Sequence, residues 1–303
     1  MKYRVVHTTR YRYSQLVALC HNEAHLRPRS CDRQHCSDSR LVVEPAPALT
    51  HERIDFFGNA VTYFAVQQPH DLLTVTATSS VELRPVVPSP NFEASLPWDT
   101  MTLRLASDHS PVAIVARQLA LESPMVATSP DLAEFARPSF TAARPLLAAV
   151  HDLSRRIHRE FVYDPNFTTI ATPLSEVLML RRGVCQDFAH LAIGCLRSLG
   201  LPARYVSGYL QSVPPPGQPR LRGADTSHAW FAVFDPDIGW IDFDPTNDQI
   251  ANDQHVTTAW GRDYSDVTPL KGVVFGGGAH TLEVAVDMEP EGDGGPGSVT
   301  SDR

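Results

Sequence analysis

The 303-residue chain is 43% hydrophobic and 20% charged, proportions of a globular protein long enough for two domains. Its 26 Lys and Arg against 34 Asp and Glu leave a formal charge of -8 with the basic residues scattered, which argues against nucleic acid as the main partner, because binding phosphates needs concentrated positive charge. No run approaches the roughly 20 apolar residues of a membrane span, and the first residues lack the apolar core of a signal peptide, so no membrane partner and a cytoplasmic address are expected.

Residues 2–13 and 16–26 alternate apolar and polar side chains and read as strands, and 41–44, 51–57, 60–67 and 72–83 continue the pattern. Phe57-Gly58-Asn59-Ala60 is a hairpin turn, since Gly and Asn tolerate positive φ. Short strands at near-even spacing predict a β-sandwich over residues 1–84. Within it Cys20, Cys31 and Cys36 stand among His21, His25 and His35, residue types that suit zinc. The spacing is not a tight paired motif, so these residues are expected to be structural or surface, with no metal and no cofactor. Five cysteines, an odd number without a regular framework, fit a reducing compartment.

Arg84-Pro85-Val86-Val87-Pro88-Ser89-Pro90 opens a proline-rich linker expected over 85–110. From 111 the period lengthens, and 112–121, 131–136, 142–160 and 174–180 read as helices, with Ser110-Pro111 and Ser129-Pro130 as starts. Strands are predicted at 203–211, 228–234, 240–244 and 280–286, which makes 111–288 an α+β core. Between the first two, residues 212–226 carry four prolines and two glycines and are expected to form an active-site rim loop. Residues 289–303, rich in Gly, Glu and Asp, are expected to be a disordered tail.

Two stretches carry the chemistry. In Gly183-Val184-Cys185-Gln186-Asp187-Phe188-Ala189 the cysteine opens a helix whose apolar residues wrap most of its circumference, so the helix is buried, and Gly200 then Pro202 supply its stop. Helix starts favour negative charge, so Cys185 sits where a thiolate is stabilised, although a cysteine alone is more often an inert core residue. Cys195, ten residues on, faces elsewhere and reads as core. The second stretch runs from His228-Ala229-Trp230 through the turn Asp235-Pro236-Asp237-Ile238-Gly239 to Asp244-Pro245-Thr246-Asn247 and reads as a hairpin. With the turn centred on Asp237, Phe234 faces Trp240, His228 lies opposite Thr246, and Asp244 is diagonal to His228. Asp242 shares the face but lies two residues further along, so Asp244 is the better partner for the imidazole.

These segments, with Gly261-Arg262-Asp263-Tyr264-Ser265-Asp266-Val267, together resemble the transglutaminase-like superfamily of bacterial proteins, and the first third resembles the β-rich domain that precedes its core. The resemblance implies a papain-like core of helices on an antiparallel sheet, with Cys185 as nucleophile, His228 as general base and Asp244 as the residue that orients it. It implies a peptide or protein substrate and an acyl thioester passed to water or to an amine. Trp230 and Trp240 could wall a dry amine channel but are more often plain core, and the expectation leans to hydrolysis because indiscriminate crosslinking in the cytoplasm would be a hazard to the cell. A non-catalytic scaffold is the reading from a different class, and retention of all three residues in their expected contexts argues against it. No acidic loop has calcium-ligand spacing, and the paired Cys-x-x-Cys motifs of a zinc-containing glycanase-like variant are absent.

Overall fold

A computed structural model describes residues 1–84, 91–169, 172–212 and 226–291. The N-terminal part contains β1 (Lys2–Ala24), β2 (Gln34–Glu44), β3 (Leu49–Ile54), β4 (Ala60–Val66) and β5 (His70–Leu83). Helices follow: α1 (Trp98–Ser107), α2 (Pro111–Gln118), α3 (Pro130–Ala136) and α4 (Leu146–Glu160). The short β6 (Val162–Tyr163), α5 (Leu174–Leu180) and β7 (Arg182–Gly183) lead into α6 (Cys185–Ser198). Then come β8 (Ala203–Leu210), β9 (Thr226–Asp235), β10 (Gly239–Asp244), β11 (Gln249–Ile250), β12 (His255–Gly261), α7 (Tyr264–Val267), β13 (Leu270–Gly276) and β14 (His280–Pro290).

The expected pair of strands over 2–26 is one long strand with an irregularity between Arg12 and Val17. Before it, β1 runs between β5 and β14; beyond it, β1 runs between β4 and β13. The result is a seven-stranded sheet whose two halves share β1. Val17, Cys20 and Phe64 pack with Leu73, Val75 and Val43 from the other half, so the halves face one another as the layers of a sandwich. At the β3–β4 turn only Gly58 takes a positive φ, +77°. Asn59 instead turns inward and holds Trp260 through both its amide groups, at 2.9 and 3.0 Å.

Residues 270–290 correct the expected division of the chain. The strand expected at 280–286 as part of the core is β14, and with β13 it belongs to the N-terminal sheet. β14 continues to Pro290, past the expected start of the tail. A second correction concerns 85–110. Residues 98–107 of that expected linker form α1, anchored by buried Met101 and Leu105 one turn apart. The proline run at 85–90, the rim loop over 213–225 and the tail beyond 291 lie outside the described residues.

The core is a five-stranded antiparallel sheet in the order β11-β10-β9-β8-β12, with α6 packed on β9 and β8. Every residue of α6 from Asp187 to Arg197 is buried, as its all-round apolar pattern requires. Arg197 tolerates this because its guanidinium donates to the carbonyls of Leu119, Ala203 and Arg262 and to Ser123 Oγ. Gln34 binds Thr257 through both its amide groups, and Arg33 Nη1 meets Asp242 at 2.9 Å, which fixes the N-terminal sheet to the core. Tyr3, Val5, Val286 and Met288 pack with Tyr209 and Val256 across the same junction.

Candidate active site

Cys185 is the first residue of α6, and the turn before it is fixed by Asp187. The Asp187 carboxylate accepts the Val184 N–H at 2.8 Å and the Thr168 hydroxyl at 2.6 Å. Burial pushes this carboxyl up, and the two bonds oppose it. A Cβ at position 183 would lie 2.7 Å from Asp187 Oδ2, so Gly183 is needed for close approach rather than for backbone freedom.

The hairpin has the expected register. Trp240 pairs with Phe234 and Phe243 with Phe231, which brings Asp244 diagonally against His228. His228 Nε2 lies 2.8 Å from Asp244 Oδ2, and both side chains are buried. Asp242 is committed elsewhere, to Arg33. Burial would lower the His228 pKa, but hydrogen bonds to Asp244 and Cys185, with their negative charge, outweigh it and raise it to about 10. Since Nε2 serves Asp244, Nδ1 is the nitrogen left for the sulfur. For Asp244, burial works upward, and the donors from His228 and His255 hold the carboxyl well below its ordinary range.

His255, to which sequence reasoning assigned no role, completes this cluster. Its Nε2 donates to Asp244 Oδ2 at 3.2 Å, because a carboxylate oxygen can only accept, while its Nδ1 lies 3.2 Å from the Asn252 backbone N–H and 3.1 Å from Asn252 Oδ1. Burial lowers the His255 pKa, which favours the neutral ring. Asn247 donates to the same oxygen at 2.7 Å, while Asp244 Oδ1 accepts the Thr246 and Asn247 backbone N–H groups. The signal available for Asn247 was its place two residues after an Asp-Pro turn start. His228, Asp244 and His255 put three possible metal ligands within 4.8 Å, but Asp244 Oδ2 already accepts three hydrogen bonds.

The cysteines weighed for zinc are not brought together. Cys20 takes an N–H from Asn22 at 3.2 Å, and Cys36 donates to the Asp38 carbonyl at 3.3 Å. His21 meets the Tyr63 hydroxyl, and His25 meets the Thr268 carbonyl. Cys195 is fully buried, and burial raises its thiol pKa far upward, as suits a core residue.

Cys185 and His228 open into a cavity of about 440 Å³ between the core and the N-terminal sheet, with Tyr163, Gln186 and Tyr205 on one side and Tyr11, Leu282 and Val284 on the other. Burial, and then the nearby sulfur of Cys185, raise the Tyr205 phenol well above its ordinary value, so it stays a neutral donor. Trp230 and Trp240 do not line this cavity. Trp230 is buried edge-on against His255, and Trp240 lies over the Arg204 guanidinium at 4.4 Å. A larger cavity of about 550 Å³, bounded by Phe56, Val115 and Leu121, is lined by neither Cys185 nor His228, and among its charges Glu23 pairs with Arg53 and Arg262 with Asp266.

The fold and this Cys–His–Asp arrangement define a transglutaminase-like, cysteine-dependent enzyme. Residues 3–82 match the bacterial transglutaminase-like N-terminal region and residues 133–245 the transglutaminase-like superfamily. The chain belongs to that family. An uncharacterised protein of Mycobacterium tuberculosis H37Rv is 41% identical over 96% of this chain and 94% of its own length. A protein-glutamine gamma-glutamyltransferase of Pseudomonas aeruginosa is 33% identical over 118 residues, 38% of this chain and 17% of that protein. Among solved structures, a candidate cysteine protease from Cytophaga hutchinsonii superposes with a TM-score of 0.75 at 21% identity, covering 98% of this chain and 93% of that one, which establishes a shared fold.

Proposed function

We propose that the protein hydrolyses a peptide or amide bond through a thioester on Cys185, with His228 as acid and base and Asp244 as its orienting partner. The observation that carries this reading is the double engagement of His228 by Cys185 and Asp244, which raises its pKa to about 10 and keeps its proton in place at neutral pH. The Cys185 thiolate attacks the carbonyl carbon and forms the C–S bond. The His228 proton passes to the departing amine as the C–N bond breaks. Water, deprotonated by His228, then attacks the thioester, releasing the acid and regenerating the thiolate. Asp244 stays ionised throughout, holding the ring orientation and stabilising the imidazolium. The Cys185 backbone N–H, at the start of α6, is the first candidate donor to the oxyanion.

Water is favoured over an amine as acceptor because the cavity is open to solvent: Tyr163, Leu282 and Val284 are each about half exposed, at 53%, 52% and 51%, and among the described residues no tryptophan lines it. Transfer to an amine is the alternative, supported by the likeness to the Pseudomonas gamma-glutamyltransferase. The five free cysteines support a reducing compartment, the cytoplasm. The test offers a library of glutamine-containing peptides of varied sequence, apolar residues included, with and without a labelled primary amine. Release of free acid is expected to exceed incorporation of label. Excess incorporation would establish transfer, and neither product from any peptide would return the scaffold reading.

A further inference from the structure

The wall of the cavity that faces the core comes from the N-terminal sheet, and its residues are in register. Tyr11 pairs with Leu282 and Thr9 with Val284, so two neighbouring cross-strand pairs line the cavity that holds Cys185 and His228. Leu282 and Val284 leave about half of their apolar surface uncovered there, and Tyr163 does the same from the core side. Together with Tyr11 they form an apolar patch open to the cavity beside the nucleophile, the kind of lining that ligand sites have. The polar part of the wall is His7, whose Nε2 meets Thr9 Oγ1 at 2.9 Å. Its Nδ1 is buried and has no partner among the described residues. Burial lowers the His7 pKa to about 4, so it adds hydrogen-bonding capacity to the wall without charge.

We propose that this wall binds the acyl-donor segment of the substrate and selects an aliphatic or aromatic side chain over a charged one at the residue whose carbonyl Cys185 attacks. The selection rests on the acyl-transfer reading of the site. It assigns the N-terminal sheet a role in specificity, with Leu282, Val284 and Tyr11 as the apolar contacts.

The experiment uses the full chain and peptidyl chloromethyl ketones that differ only in the residue bearing the ketone: Phe, Leu, Asp or Lys. Labelling of Cys185 is followed by mass spectrometry, with iodoacetamide as a reagent too small to need the wall. Phe and Leu ketones are expected to label about tenfold faster or more than Asp and Lys ketones, the scale of one apolar contact in a specificity pocket. In Leu282→Asp and Val284→Asp that preference should shrink by about tenfold, with iodoacetamide labelling changed by less than about twofold. Val284→Thr, a milder change at a half-exposed position, should fall between and covers the case in which an acidic variant fails to fold. Equal labelling by all four ketones, or a preference untouched by the wall variants, overturns the proposal. Failure of iodoacetamide itself to label Cys185 would instead defeat the acyl-transfer reading and the proposal with it.

Discussion

Asp244→Asn changes one atom of a carboxylate whose two oxygens accept five hydrogen bonds. Oδ2 takes His228 at 2.8 Å, Asn247 at 2.7 Å and His255 at 3.2 Å, and Oδ1 takes the Thr246 and Asn247 N–H groups at 3.0 and 3.3 Å. Whichever way the new amide turns, its NH₂ group faces donors, so at least two of them lose their acceptor. The burial that Asp244 now outweighs would then pull His228 down from about 10, removing the proton that the leaving group needs. Changing a triad carboxylate to its amide costs about 10⁴ in kcat in the serine-protease template, and because a thiolate–imidazolium pair can form before attack, a fall of roughly 10²–10⁴ in kcat/KM is expected here. Asp242→Asn, in contrast, loses an ion pair with Arg33, a side chain 34% exposed, and about 1 kcal/mol of stability after solvent screening. Its turnover should stay within about threefold of the parent, since that carboxylate does not touch His228. The assay is kcat/KM on one peptide for the parent and both variants, with iodoacetamide labelling of Cys185 against pH. If Asp242→Asn were as damaging as Asp244→Asn, or if Asp244→Asn kept more than about a tenth of the activity, the account of His228 would be wrong.

Gly183→Ala places a Cβ 2.7 Å from Asp187 Oδ2 and must displace the side chain that holds the Val184 amide; a loss of about 1–2 kcal/mol in denaturant unfolding is expected with slower Cys185 alkylation, and normal values in both would show that the turn before α6 can give way. His255→Phe removes one of the donors on Asp244 Oδ2, and should lower kcat by about tenfold with KM unchanged; a change confined to KM would make His255 a substrate contact instead. For stability against pH, His7 and His190 have folded pKa values lowered by burial from 6.5 to about 4, so each contributes stability that is present above 6.5 and lost as pH falls toward 4, on the order of 3 kcal/mol. His228 works oppositely: its contribution is full below 6.5 and lost as pH rises through about 10. Urea unfolding from pH 4 to 10 should therefore give a maximum near neutrality, and a flat profile between pH 7 and 5 would contradict the neutral state of the buried histidines.

The nucleophile helix and the hairpin were legible because their signals are local. A helix buried all round shows it in its composition, and a hairpin's register follows from its turn. His255 gave no such signal. β12 is buried on both faces and shows no alternation, and its first residue reaches Asp244 only because residues 245–254 carry the chain from β10 to the far side of the sheet. α1 was hidden for a different reason. Met101, Leu103 and Leu105 alternate with Thr102 and Arg104, a strand-like period in which exposed Leu103 masks the helical pair, soon after a proline run.

The strands at 270–290 show where local reading had to fail and why that matters for function. β1 offers two open edges in each half, and β5 and β4 cover one edge of each. The others need strands from some 250 residues further along the chain, a pairing that no local pattern encodes. Until β13 and β14 dock, Tyr11 has no Leu282 beside it and the cavity has no second wall. The reacting groups therefore come from local elements of the core, whereas the surface that meets the substrate is assembled from the first and last described strands. Substitutions in β14 can on this account alter what is cleaved without touching Cys185, His228 or Asp244, and substitutions in the hairpin can abolish chemistry while leaving the wall intact.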